Sequence, residues 1–151
     1  NQLFALSLTH QVIEADSEIA ENIINIVEKK LLNNYGLKTL AKGEPDYIEI
    51  YEGNGAHRDA SYHQGITWPW LLGLYYNSLI NIKNKTKEKE EIEQKIKKFK
   101  DKVNKTFKKE ILENGCIGSI AEIYDSTKPQ LPKGAIAQAW SIAEIFRIIR
   151  D

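Results

Sequence analysis

The sequence has no methionine, a single cysteine and no net charge. One cysteine, Cys116, excludes an intramolecular disulfide and is typical of a reducing compartment, so we expect a cytoplasmic protein. The 21 basic and 21 acidic side chains balance, which leaves no net field to attract nucleic acid or an anionic membrane. Because no initiating methionine is present, we expect these 151 residues to be a fragment of a larger chain.

Long apolar runs are also missing. The longest falls well short of the roughly 18 residues that span a membrane, and the beginning of the chain lacks the basic-then-apolar layout of a secretion signal. No metal-ligand cluster and no phosphate-binding loop is evident, so we expect no cofactor. What is present is a chain of one domain's length, long enough to bury a core.

Two segments have the pattern of amphipathic helices. Residues 17–34 place apolar side chains at helical spacing, with Asp16-Ser17 as the candidate N-cap and Gly36 as the expected C′ residue. Residues 86–112 are rich in lysine and glutamate with a narrow apolar stripe. We interpret these charges as a solvated outer face rather than as a surface for polyanions.

Two other segments are apolar on nearly every side. Residues 68–82, with Thr67 as the expected N-cap, and residues 135–150 predict helices that neighbours must bury. A long stretch rich in glycine and proline precedes each of them, at residues 37–64 and 114–134. Long loops in compact domains are usually functional or disordered, and the aromatic content here favours function.

Buried helices therefore alternate with amphipathic ones, and the loops lead into the buried helices. An α/α toroid has this arrangement, in which an outer ring of helices encloses an inner ring and loops at one end form the site. With the short apolar segment at residues 2–8, five elements would form about half of such a ring. The predicted fold class is thus all-α, a partial α/α toroid.

The segment at residues 58–70 combines flat aromatic side chains with Arg, Asp, His and Gln at the mouth of a buried helix. Sugars need both kinds of group, because aromatic faces stack on their C–H bonds and polar side chains bind pairs of hydroxyls. The alternative is that Trp68 belongs to the core and that His63 is a hydrogen-bonding residue at a helix start. Both interpretations remain open from the residues alone.

Two further segments carry candidate groups. Glu122 and Asp125 lie in a glycine-flanked stretch, and glycosidases require two carboxyl groups at the scissile bond, although an ordinary surface turn explains these acids equally well. In the last helix, Gln138 is the better site candidate because it lies near the helix start. We interpret Trp140 as a core residue, and Glu144 either as a partner in a local ion pair or as a support for a neighbouring site residue.

Three motifs together resemble a known family. The chain reads Tyr-His-Gln-Gly-x-x-Trp-Pro-Trp-Leu-Leu-Gly from residue 62, Gly-Ser-Ile-x-Glu-Ile-Tyr-Asp from residue 118 and Pro-x-Gly-x-Ile-Ala-Gln-Ala-Trp-Ser-x-Ala-Glu from residue 132. In this order they resemble the C-terminal part of prokaryotic glycogen-debranching enzymes, the amylo-α-1,6-glucosidase domain. The likeness runs nearly end to end, and the lysine-rich helix is its least diagnostic part.

The resemblance implies an (α/α)6 six-hairpin barrel that hydrolyses α-1,6-linked branch-point glucose with inversion. It implies that Glu122 is the catalytic base and that the acid is an aspartate upstream of Asn1, which neither Asp59 nor Asp125 matches. The expected partners are an α-glucan or oligosaccharide substrate and the remainder of the parent chain, without nucleic acid or membrane. The side chains that the resemblance makes candidates for binding sugar are Arg58, Asp59, Tyr62, His63, Gln64, Trp68, Tyr124 and Gln138.

Alone, such a fragment would be inactive and would self-associate through its exposed helix flanks. Two alternatives remain open from the sequence. One is a glycosidase of the same fold that acts on another α-glucoside. The other is a non-catalytic helical module that folds alone and only binds glucan.

Overall fold

The helical periodicity of the sequence corresponds to a mostly helical structure. A computed structural model describes residues 2–151 of the chain, with 53% of the chain in helices. Within residues 2–151 there are six α-helices and one π-helical turn, Val27–Leu31. The α-helices are α1 Gln2–Ser7, α2 Glu18–Ile26, α3 Gly55–Tyr62, α4 Leu71–Lys85, α5 Lys89–Glu113 and α6 Ala139–Arg150.

A small antiparallel sheet, which the sequence patterns did not predict, joins the segments between the helices. Its strands pair in chain order, with Leu37 opposite Trp68, Thr67 opposite Tyr124 and Tyr124 opposite Pro132. Each strand has two residues, which is too short for an alternating pattern to be visible. The strands are β1 Leu37–Lys38, β2 Thr67–Trp68, β3 Ile123–Tyr124 and β4 Pro132–Lys133.

Helix α4 is the centre of the hydrophobic core. It packs against α1, α5 and α6, and its side chains Leu72, Tyr75 and Leu79 are almost completely buried. The prediction of a buried helix in this part of the chain is therefore confirmed. Helix α6 is different, because Phe146 is half exposed although Ile145 beside it is fully buried. The apolar residues of α6 thus lie on a buried face and also on an open one.

The first amphipathic helix begins as predicted and ends differently. The Ser17 hydroxyl accepts a hydrogen bond from the Ala20 amide at 3.2 Å, so Ser17 is the N-cap of α2. The helix widens into the π-helical turn, and Gly36 is not its C′ residue. Gly36 instead permits close backbone approach, because a Cβ at this position would overlap the carbonyl group of Trp68 on the neighbouring strand.

Two other local predictions are wrong. The stretch 37–64, predicted as a loop, contains α3, which Asn54 caps by accepting from the His57 amide at 3.1 Å. Thr67 does not cap α4, because it lies in β2 and its hydroxyl accepts from the Asn33 side-chain amide at 2.6 Å. Polar side chains of this kind can cap a helix or bridge two loops, and local sequence does not distinguish these uses.

Helix α5 contributes a buried carboxylate that its charged sequence conceals. Glu110 is only 2% exposed. The Tyr124 hydroxyl donates to Glu110 Oε1 at 3.0 Å, and the Asn114 side-chain amide donates to Oε2 at 3.2 Å. The Tyr124 ring stacks on Tyr35 with a centroid separation of 4.4 Å. The pKa of Tyr124 is raised by burial and then by the charge of Glu110.

Replacing Tyr124 with phenylalanine is expected to destabilise the fold by about 1–3 kcal/mol, since a buried carboxylate would lose a hydrogen-bond donor. Urea unfolding of the full-length protein measures the change. The matched variant is Glu110→Gln, which is expected to change stability by less than about 1 kcal/mol. The substitution removes the buried charge, its amide oxygen can still accept from Tyr124, and the exposed Asn114 side chain can bind water instead. Equal stability of Tyr124→Phe and the unsubstituted protein would contradict the assignment.

Candidate active site

Glu122 is held by groups from two distant parts of the chain. The Tyr62 hydroxyl, 60 positions away in sequence, donates to Glu122 Oε1 at 2.5 Å. The Ala135 amide donates to Oε2 at 3.0 Å, and the Glu122 amide donates to the Ala135 carbonyl at 2.9 Å. Both carboxylate oxygens are therefore fixed by hydrogen bonds, one from the end of α3 and one from the loop after β4.

The loop after β4 can approach Glu122 because it contains a glycine at the point of contact. Gly134 has φ = +69°, a backbone conformation that side chains rarely adopt. A Cβ there would overlap Glu122 Oε2 and would lie 3.0 Å from a side-chain carbon of Ile123. The glycine therefore supplies both the turn and the space that the carboxylate occupies.

Glu122 forms part of the wall of a cavity of about 420 Å³. Arg58 and Asp59, which lie next to each other on α3, also line it. The Arg58 guanidinium is anchored by a 2.6 Å hydrogen bond to the Gly53 carbonyl. The cavity thus contains two carboxylates and one cation, groups that bind and polarise hydroxyls. Its complete lining is Tyr51, Arg58, Asp59, Tyr62, Glu122, Gly134 and Ala135.

Tyr62 is fixed in place by its neighbours. Its backbone carbonyl accepts a hydrogen bond from the Trp68 indole at 3.2 Å, and its ring meets the Trp68 ring edge-on at 4.7 Å. The rings of Tyr51 and His63 lie 5.7 and 4.8 Å away. Burial, followed by the hydrogen bond and charge of Glu122, raises the pKa of Tyr62 well above its usual value. The hydroxyl is therefore a permanent donor at neutral pH.

A second, more apolar groove of about 1000 Å³ lies on the other side of Tyr62, which lines both spaces. His63 and Trp68 line this groove, with their rings stacked at 5.5 Å. Trp140 also lines it and is 46% exposed, so our interpretation of Trp140 as a core residue is wrong. Its ring contacts Trp68 and Trp70, at centroid distances of 6.2 and 5.9 Å.

The arrangement around Glu122 is a carboxylate with fixed orientation in a polar cavity, beside a groove with exposed aromatic rings. A family model described as amylo-alpha-1,6-glucosidase matches residues 1–147. The chain belongs to the amylo-α-1,6-glucosidase family. The resemblance inferred from the three sequence motifs is thereby confirmed, and the match covers nearly the whole chain. The family suggests a glycosidase domain of the glycogen-debranching type.

Three of the residues proposed for sugar binding in this amylo-α-1,6-glucosidase family member line neither cavity. Gln64 is exposed, and its backbone carbonyl accepts from Ile48 at 2.6 Å. Gln138 is the N-cap of α6, and its side chain accepts from the Ala139 amide at 3.1 Å. Tyr124 is buried against Glu110. The structure therefore brings Glu122 together with Arg58, Asp59 and Tyr62, and places His63 and Trp68 in the adjoining groove.

The remaining acidic candidates have structural partners. Asp125 is buried, accepts a hydrogen bond from the Tyr51 amide at 2.9 Å and pairs with Lys133 at 3.7 Å. It thus fixes the loop that carries one wall of the cavity. Glu144 forms an ion pair with Arg147 at 2.6 Å, so the prediction of a local ion pair is confirmed.

Ala135 and Gly134 were not among the site residues predicted from the sequence. Ala135 contributes its backbone amide, and Gly134 contributes the space left by its missing side chain. Neither contribution can be recognised from the chemical type of a side chain. The glycine of the Pro-x-Gly motif was the available clue. Tyr51 was also overlooked, because it lies in the stretch 37–64, which was predicted only as a loop.

No group of three or more His, Cys, Asp or Glu side chains among residues 2–151 is arranged to hold a metal ion. In the same part of the chain, none of the helices combines the length and apolarity needed to cross a bilayer.

Proposed function

We propose that this chain forms one side of an inverting α-1,6-glucosidase site that releases branch-point glucose from glycogen or limit dextrin, with Glu122 as the general base. The observation that carries the proposal is the fixed orientation of Glu122 at the wall of a polar cavity. Membership of the amylo-α-1,6-glucosidase family supports the choice of substrate.

In the proposed reaction, Glu122 accepts a proton from a water molecule as the water oxygen attacks the anomeric carbon of glucose. The bond from that carbon to the glycosidic oxygen breaks, and a carboxylic acid on the opposite side donates a proton to the departing oxygen. Attack from the opposite face converts the α-linkage into β-glucose. Such a geometry requires carboxyl groups roughly 6.5–9.5 Å apart, with room for the water between them.

The acid is proposed to be an aspartate in the part of the protein beyond these residues. Asp125 is unsuited to the role because its two oxygens bind the Tyr51 amide and Lys133. Asp59 shares the cavity with Glu122 and is assigned to substrate hydroxyls, together with Arg58. The helices are accordingly proposed to be about half of an (α/α)6 toroid.

The apolar groove supports the same proposal. His63 and Trp140, which are exposed, offer flat faces on which glucose rings can stack, next to the cavity that contains Glu122. Trp68 is only 5% exposed and supports these two rings from the core. Tyr124 and Gln138 are proposed to act by holding β3 and the start of α6 in place. Gln64 remains a candidate for sugar binding on its exposure alone.

Incubating the full-length protein with limit dextrin is expected to release glucose whose first-formed anomer is β. Proton NMR during the first minutes, before mutarotation, measures the anomer. Release of α-glucose would contradict the inverting mechanism. Turnover of a different α-glucoside, with none of limit dextrin, would identify the alternative substrate class. Glucan binding by a monomeric, well-folded 151-residue chain, without hydrolysis by the full-length protein, would favour the non-catalytic module.

A further inference from the structure

We infer that Tyr62 is a positioning residue for Glu122, rather than one of the groups that bind sugar. This inference rests on the proposed role of Glu122 as the base. It assigns to the tyrosine of the Tyr-His-Gln-Gly motif the task of orienting a carboxylate that lies 60 positions further along the chain.

The hydrogen bond between Tyr62 and Glu122 is short and charge-assisted. At 2.5 Å from the hydroxyl oxygen to Oε1, it lies at the short end of the range for an O–H donor and a carboxylate. With the Ala135 amide on Oε2, it fixes the carboxylate at both oxygens and so restricts rotation of the carboxylate plane. One lone pair on each oxygen remains to accept a hydrogen bond from the water molecule of the proposed reaction.

The hydroxyl of Tyr62 has a single proton, and it donates this proton in the hydrogen bond to Glu122. A sugar hydroxyl would therefore find only an acceptor on this side chain. The phenol itself is kept in place, because Trp68 binds the Tyr62 carbonyl at 3.2 Å and packs against its ring. A group fixed at its backbone and its ring, with its only donor committed to a carboxylate, is suited to orienting that carboxylate.

The test is Tyr62→Phe in the full-length protein, which removes one hydroxyl and keeps the ring. We expect kcat on limit dextrin to fall about 10- to 100-fold because the base is misaligned, while KM changes less than about twofold. The control is Tyr76→Phe, a buried tyrosine of α4 under the Arg147 guanidinium, outside the cavity lining.

A double substitution separates positioning from other roles. If Tyr62 acts through Glu122, then Tyr62→Phe causes no further loss in a Glu122→Gln background, whereas independent roles would multiply. Two results would overturn the inference. One is a raised KM with unchanged kcat in Tyr62→Phe, and the other is an equally large loss of activity when Tyr62→Phe is added to Glu122→Gln. Neither outcome would argue against Glu122 as the base. That role is rejected by a different result, a loss of less than about tenfold in the Glu122→Gln variant alone. Thermal melting of each variant shows whether it is folded. The activity of the double variant is compared with that of Glu122→Gln, so this comparison does not depend on the activity of the unsubstituted protein.

Discussion

Glu122→Gln is expected to reduce glucose release from limit dextrin by about 10²–10⁴-fold, the usual contribution of a positioned general base. Glutamine has the same shape as glutamate and fits the observed contacts. Its amide oxygen can accept from the Ala135 amide, and its NH2 group can donate to the Tyr62 oxygen. The structure around residue 122 should therefore persist, and the variant loses only the ability to accept a proton from water.

The measurement is glucose release under saturating limit dextrin, with glucan affinity determined separately by calorimetry. Affinity is expected to change less than about threefold, because the base acts in the transition state. The matched control is Glu49→Gln, the same substitution at a carboxylate that pairs with Lys42 at 3.1 Å on the protein surface. Near wild-type turnover by Glu122→Gln, or an equal loss in the control, would remove Glu122 from the mechanism.

The helices were predictable because burial imposes a period on the sequence. Ser17 was recognisable as an N-cap, and the apolar stretch that became α4 lies at the centre of the core. The sheet was not predictable, because its strands are held by partners distant in sequence, such as Trp68 for Leu37. Gly36 was wrongly predicted to be the C′ residue of a helix for the same reason, because its actual constraint is the Trp68 backbone, which lies elsewhere in the chain.

For the candidate site, the sequence motifs identified Glu122 and Tyr62 individually but not their contact. A hydrogen bond between residues 60 positions apart follows from the packing of α3 against the loop before β3, and no spacing rule expresses it. Trp140 was misjudged because an aromatic residue in an apolar helix is usually buried. For Glu110 the error was the opposite one. It was predicted to be solvated like the other charged residues of its helix, but it is buried.

Gly134→Ala is expected to lower kcat/KM by about 100-fold while the protein remains folded. The new Cβ would overlap Glu122 Oε2 and would lie 3.0 Å from a side-chain carbon of the buried Ile123, so the carboxylate must rotate away and Ile123 must shift slightly. That rotation breaks the hydrogen bond from Ala135 and misaligns the base. The positive φ of +69° adds a strain of about 1–2 kcal/mol for any residue with a Cβ.

The matched variant that isolates the overlap from the strain is Gly118→Ala. Gly118 has a similar φ of +84°, but nothing lies within 4 Å of a Cβ placed there. Gly118→Ala should therefore lose about 1–2 kcal/mol in urea unfolding from backbone strain alone, and Gly134→Ala should lose somewhat more because of its contact with Ile123. Only Gly134→Ala is expected to lose activity. Equal activity in the two variants would mean that contact between Gly134 and Glu122 has no catalytic consequence. Loss of activity in Gly134→Ala alone, with both variants folded, would locate the effect at the Glu122 carboxylate, because both positions have a positive φ.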